Sequence, residues 1–183
     1  MDVFEAIQER RSIRSYQEKP VEREKLEMIL EAGRLAPSAR NVEPWQFIAV
    51  TSHEKREALS KGKYAKFLAQ CPLVIVACGD KKASPDWYAI DVALAVENMV
   101  LTAVSLGLGT CCVGSFIEKD IKATLKIPEN LEVLVMLAVG YPGDHVDLSS
   151  KVLNLVRTRK TLAEVANEEE YGKHLIPKKI EEL

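Results

Sequence analysis

Ser84-Pro85-Asp86-Trp87-Tyr88-Ala89-Ile90-Asp91-Val92-Ala93-Leu94-Ala95-Val96-Glu97-Asn98-Met99-Val100-Leu101-Thr102-Ala103-Val104-Ser105-Leu106-Gly107-Leu108-Gly109 is the stretch on which the fold turns. Between Ala89 and Leu108 it is apolar enough to raise the question of a membrane span. Asp91, Glu97, Asn98, Thr102 and Ser105 interrupt it, and the uncharged segments are too short for a bilayer. Asp91, Asn98, Thr102 and Ser105 fall seven, four and three apart, a narrow polar stripe on an otherwise apolar helix. That pattern predicts a helix buried at the centre of a soluble fold. Ser84-Pro85-Asp86 reads as its N-cap, first-turn proline and acidic second position, and Gly107 and Gly109 as its stop.

Outward from this helix, the N-terminal side opens with a short helix over Asp2–Arg10, with Val3, Phe4, Ala6 and Ile7 inward, and then a basic loop from Arg11 to Pro20. Leu26, Ile29, Leu30 and Gly33 have helical spacing within Glu22–Ala36, which Pro37 stops. Gln46–Thr51 and the continuous apolar run Leu73–Cys78 read as strands, the second of the kind covered on both faces. Short Lys-rich helical pieces lie between them. Beyond the central helix come a strand at Thr110–Val113, a helix at Glu118–Leu125 and a strand at Leu131–Gly140. Thr161-Leu162-Ala163-Glu164 fits a capping box for a last short helix, and the tail from about 167 is charged, expected to be mobile or packed on a partner subunit. Helices first, then strands separated by helices, give a three-layer α/β arrangement in a single domain, 1–183. The βαβ rhythm of a dinucleotide-binding domain is missing, as are G-x-G-x-x-G after a strand and the phosphate loop G-x-x-x-x-G-K-[ST].

Composition removes several function classes. A net charge of −2 and a pI near 6, with no run of five basic residues, argue against a nucleic-acid or anionic-membrane surface. Cys71, Cys78, Cys111 and Cys112 make no C-x-x-C pair, and His53, His145 and His174 are far apart, so no metal is expected. The cysteines read as reduced thiols of a cytoplasmic protein, the apolar-flanked ones in the core. The acidic, amphipathic start Met1-Asp2-Val3-Phe4-Glu5 is not expected to be a signal peptide.

Four constellations carry chemistry. Arg10-Arg11-Ser12-Ile13-Arg14-Ser15-Tyr16 puts three guanidiniums and two serine hydroxyls in seven residues, able to surround a phosphomonoester in paired hydrogen bonds. By itself it fits a solvated basic turn more readily, because Arg-Arg-Ser is short. Ala36 to Phe47 runs from a helix end through small polar residues to Trp45; it could admit a planar ligand, or be a loop beside a packed Trp. Gly114 at a strand end leaves backbone N–H groups open to a ligand, or is a turn glycine. Arg157-Thr158-Arg159-Lys160 gathers three cations before the capped helix.

In this order and spacing the pieces resemble the FMN-dependent nitroreductases from about Phe4 to Gly172. The matching residues are Arg10-Arg11-Ser12-x-Arg14, Ala36-Pro37-Ser38-x-x-Asn41-x-x-Pro44-Trp45, Trp87-x-x-x-Asp91, Gly107-Leu108-Gly109-Thr110, Ala138-x-Gly140-Tyr141-Pro142 and Arg159-Lys160 before Leu162. The resemblance implies an α+β, three-layer α/β/α fold with a mixed, largely antiparallel central sheet. It also implies an intertwined homodimer with two FMN molecules at its interface. Carried over, Arg10, Arg11 and Ser12 are the phosphate and ribityl contacts, and Arg14 is the cation beside flavin N1 and O2. Pro37, Ser38 and Asn41 come from the partner subunit, Gly114 and Ser115 give backbone donors to N5 and O4, and Arg157 and Arg159 complete the phosphate site, with Lys160 as the alternative to Arg159. Many relatives have Gln where this chain has Glu43, so Glu43 is not carried over.

The chemistry so implied is hydride transfer from NADH or NADPH through bound FMN to a small-molecule acceptor, a nitroaromatic, a quinone or a flavin. The cofactor carries the reaction, and no side-chain nucleophile or acid–base pair is required. The alternatives are a flavin-cleaving or dehalogenating relative within the same family, and a non-catalytic flavin-binding redox protein.

Overall fold

The computed structural model describes residues 1–143 and 159–175. The chain divides into two units, Met1–Val146 and Asp147–Leu183. The first holds α1 (Val3–Glu9), α2 (Arg23–Arg34), β1 (Trp45–Val50), α3 (His53–Leu59), β2 (Leu73–Asp80), α4 (Tyr88–Ser105), β3 (Gly109–Val113), α5 (Glu118–Leu125) and β4 (Leu131–Gly140). The second holds α6 (Leu162–Val165), opened by the Thr161–Glu164 capping box. Beyond α6 the chain doubles back, Glu168 N–H donating to Lys173 O and Leu175 N–H to Ala166 O.

The strands form one sheet in the order β1-β2-β4-β3, each pair antiparallel. The parallel element is an isolated bridge from Ser12 to Thr110 of β3. The alternation of β2 creates the three layers. Leu73, Ile75 and Ala77 face a core completed by Leu26 and Ile29 of α2 and Val92, Ala95 and Met99 of α4. Val74, Val76 and Cys78 face the opposite core, with Leu59 of α3 and Ile121 of α5. Both faces are covered, so the strand is apolar throughout, as its sequence implied. A bulge beside Ala77 and Cys78, where Leu134 is the extra residue of β4, keeps Val133 and Met136 on one face although they are three residues apart. Truncating a fully buried Leu, Ile or Met here to Ala costs about 2–5 kcal/mol.

Three local readings change. First, α4 begins at Tyr88, not after Ser84. Asp80 accepts the N–H groups of Lys82 and Ala83 (2.9 and 3.1 Å), so capping belongs to the preceding turn, and Ser84 O accepts from Trp87 and Tyr88. Second, α4 is buried on one face only, the face that carries Asp91 and Asn98, while Ser105 at its end is exposed. Asp91 is buried and Asn98 donates to Ala32 O of α2 at 3.2 Å, whereas Ile90 and Leu94 are about half exposed. Third, α1 buries only Ala6; Val3, Phe4 and Ile7 are exposed. Exposed Met28 and Leu35 add to this uncovered apolar surface.

Candidate functional site

The arginine loop is fastened to one edge of the sheet. Ile13 N–H donates to Thr110 O at 2.8 Å, and the approach is possible because position 109 is glycine: a Cβ there would lie 2.7 Å from the Ile13 side chain. Tyr16 Oη donates to Ile13 O (2.6 Å) and its ring stacks on Phe67. Farther along, Gln17 N–H donates to Tyr141 O and Gly143 N–H to Ser15 O. The loop thus adds itself to β3 and to the exit of β4. A compact polar cluster holds that exit. Tyr141 Oη donates to the Glu22 carboxylate (2.7 and 2.9 Å) and accepts from Lys25 Nζ (2.8 Å), which also donates to Leu106 O at the end of α4.

Within this frame Arg10 and Arg14 are half-buried and both act on the Cys111 thiol. Burial raises the thiol's pKa, while Arg14, a hydrogen bond with Ser12, and Arg10 pull it down. Ser12 bridges Thr110, and both arginines lie near enough to this part of β3 for their charge to reach Cys111. Arg11 turns back and donates to Arg10 O at 2.9 Å and to Gln8 O, the carbonyls that α1 leaves unpaired at its end.

Gly114 and Ser115 follow β3 directly, on the same sheet edge. A Cβ on Gly114 would meet nothing within 4 Å, so the space above it is open. Ser115 is packed by a segment that carries no motif, Gly62-Lys63-Tyr64. Tyr64 N–H donates to Ser115 Oγ (3.3 Å), and a Cβ on Gly62 would lie 1.8 Å from Ser115 O. Tyr64 itself is exposed, with Lys63 Nζ 5.3 Å from its ring centre. A glycine between lysines was the available signal, and it was too common to read.

The Pro37–Asn41 segment lies elsewhere. Ser38 precedes a short 3-10 turn, Ala39–Asn41, and Arg40, Asn41 and Glu43 all have positive φ (55, 55 and 52°). The turn is held internally by Glu43 N–H donating to Ser38 Oγ (2.9 Å) and Asn41 Nδ2 donating to Glu43 Oε1 (3.2 Å). Glu43, not carried over as a contact, buttresses Ser38 and Asn41. Ala39 N–H donates to Asp91 Oδ1 at 3.1 Å, which fixes the turn to the first part of α4.

That placement separates the expected site residues. The turn leads into β1 at one edge of the sheet, beside Gly79, whereas Ser12 pairs at the other edge, level with Leu73. From β1 to β3, the strand on which Ser12 pairs, three strand spacings and six residues along β2 already amount to roughly 25 Å. The helix α4 gives a similar figure, since Asp91 and the end at Ser105 are separated by about 21 Å at 1.5 Å per residue. One chain brings together Arg10, Ser12, Arg14, Gly114 and Ser115 along one edge; Pro37, Ser38 and Asn41 occupy the far corner. Arg157 lies outside the described residues. Arg159 and Lys160 are exposed in the second unit.

Among the described residues no group of His, Cys, Asp or Glu could hold a metal ion. Cys71, Cys78 and Cys111 are buried and unpaired, and burial pushes the Cys71 thiol up to about 12 and the Cys78 thiol up to about 11.

The sequence matches the nitroreductase family over residues 7–62 and 59–141. A protein of Archaeoglobus fulgidus, provisionally named an NADH dehydrogenase/NAD(P)H nitroreductase, is 35% identical over 80% of this chain and 88% of its own. A nitroreductase family protein of Clostridium difficile 630 superposes with a TM-score of 0.80 at 30% identity, over 93% of this chain and 99% of its own. An FMN-dependent nitroreductase of Clostridium difficile R20291 gives 0.71 at 32% identity, over 85% and 98%. With the basic loop, the open strand end and the three-layer antiparallel fold already in place, these matches settle the family: the chain is an oxidoreductase belonging to the nitroreductase family.

Proposed function

We propose that the protein is an FMN-dependent homodimer that takes hydride from NADH or NADPH and delivers it to an electron-poor small molecule such as a nitroaromatic, a quinone or a free flavin. The observation that carries this reading is the separation of the two half-sites by roughly 20–25 Å within one chain. A second copy would bring its Pro37–Asn41 turn to the edge that carries Arg10–Arg14. The uncovered apolar residues of α1, α2 and α4, Val3, Phe4, Ile7, Leu35, Ile90 and Leu94, are what such a contact would bury.

The residues present fit FMN. Arg10, Arg11 and Ser12 offer donors for a phosphate dianion, with Arg157 and Arg159 as further cations. Arg14 would hold positive charge at the ring edge that gains negative charge, and Gly114 and Ser115 would offer backbone N–H groups to the ring, for which the open space above Gly114 leaves room. Ser38 and Asn41 of the second copy close the other side. When bound, FMN supplies the redox chemistry, taking up a hydride equivalent and giving it up again. The chain itself positions donor and acceptor, holds charge near the ring and limits access by water. The Arg10–Arg14 loop needs no movement to do this, because β3 and Tyr141 already fix it.

The test is purification without added flavin, followed by an absorption spectrum, mass analysis of the released cofactor, sedimentation, and NADH or NADPH oxidation with an added quinone. A yellow dimer releasing FMN and turning over is expected. A colourless monomer that fails to bind added FMN overturns the proposal.

A further inference from the structure

Asp91 is the least expected side chain in the core. It is 2% exposed, Oδ1 accepts one hydrogen bond from Ala39 N–H, and Oδ2 is the one buried side-chain polar atom among the described residues without a partner. Stability alone does not account for it, since an apolar residue of similar size would leave no polar atom unsatisfied. The turn it holds is strained: positive φ at Arg40, Asn41 and Glu43 is unfavourable for residues with a Cβ and persists only where the surroundings enforce it. The Ser38–Glu43 and Asn41–Glu43 bonds lie within the turn. The Asp91 bond is the side-chain tether from this turn to another element.

From this geometry we infer that Asp91 is a positioning residue: by holding Ala39 N–H it fixes the turn in the shape that presents Ser38 and Asn41 to the flavin bound by the other subunit. This rests on the proposed FMN site and adds to it a buried residue that touches no ligand. The carboxylate contributes through a single acceptor atom, so an amide keeps the function and a hydrocarbon loses it.

The test compares Asp91→Leu, Asp91→Asn, Ala39→Pro and the Asp91→Leu/Ala39→Pro double variant in the full chain. Ala39→Pro removes the N–H from the turn side without touching α4. It is compatible with the backbone, because Ser38 is extended (φ −138, ψ 153) and Ala39 is the first residue of the 3-10 turn. FMN affinity is measured by fluorescence titration of dimers shown to be folded, together with amide exchange at Ala39–Asn41 in flavin-free protein. Asp91→Leu and Ala39→Pro are each expected to weaken FMN by about tenfold or more and to speed exchange in the turn. Asp91→Asn should stay within about threefold of wild type, and the double variant should be no worse than either single one, because both remove the same bond. Folded Asp91→Leu that binds FMN like wild type, or a double variant whose losses multiply, overturns the inference. Wild type that binds no FMN would instead remove the FMN reading, and the exchange measurement would still decide whether Asp91 tethers the turn.

Discussion

Replacing Tyr141 by Phe removes one oxygen from the cluster that anchors the arginine loop, and the consequence can be read at a single carboxylate. Glu22 is held at a pKa of about 2, below its ordinary 4.5, first by the Tyr141 hydroxyl, then by its own backbone N–H and by Lys19 at 3.1 Å. Without the hydroxyl the backbone and Lys19 remain, so the Glu22 pKa should rise by about one unit or more but not return fully. The sign follows from linkage. A depressed folded-state pKa stabilises the fold fully above the unfolded value and is lost as pH falls through the folded one. The wild type should therefore outlast Tyr141→Phe at neutral pH, and this electrostatic advantage should shrink as pH falls from about 4 and vanish below about 2. Carbon-detected titration of the Glu22 carboxyl gives the pKa directly, and thermal melts between pH 2 and 7 at fixed protein concentration give the stability difference. A folded Tyr141→Phe variant in which Glu22 still titrates near 2 would refute the assignment of the hydroxyl as the leading cause.

Other substitutions test the site from different sides. Arg14→Ala should lower the flavin midpoint potential by some 30 mV or more, since even a third of a roughly 4 kcal/mol attraction at 4 Å corresponds to about 30 mV for two electrons. Arg10→Ala should chiefly weaken FMN binding; equal potentials in the two variants would misplace the ring. Gly62→Ala has no room beside Ser115 O and should displace the Tyr64 segment, raising the KM for nicotinamide or acceptor more than it lowers Tm; unchanged kinetics would detach that segment from the site. Substituting all four cysteines should leave flavin reduction intact, because burial keeps Cys71 and Cys78 protonated at neutral pH. Loss of reduction in a folded, FMN-loaded quadruple variant would put a thiol into the mechanism.

Local signals in the sequence were sufficient wherever the structure is locally determined. The spans Glu118–Leu125 and Leu131–Gly140 coincide with α5 and β4, and Gly107 ends the central helix with Leu108 N–H donating back to Ala103 O. Strand β2 was legible because a sheet covered on both faces needs an unbroken apolar run. The failures are long-range. Asp91 meets Ala39 fifty-two residues away, and the spacing of the polar stripe does not say that Asp91 and Asn98 spend their polar atoms on inward hydrogen bonds. The apolar residues of α1 were assigned to a core, but their cover is not in the described chain; helical periodicity reports that a face is apolar, not what lies against it. The cationic and turn residues were each visible, and the resemblance implied that they come from different subunits, but their distance within one chain follows from strand register.

That separation has a genetic consequence. In the twofold-symmetric pair proposed above, a lesion at Arg14 and a lesion at Asn41 would fall in the same pocket when they sit on different chains, and in different pockets when they sit on one. Two variants, one altered at each position by a substitution severe enough to abolish activity, should therefore complement after mixing and subunit exchange. Random reassortment makes about half of all pairs mixed, each with one intact pocket and one doubly damaged, so about a quarter of wild-type activity should return. Placing both lesions on one chain and mixing it with wild type predicts the opposite accounting: every mixed pair then carries two singly damaged pockets, and activity falls below the share of wild-type chains added.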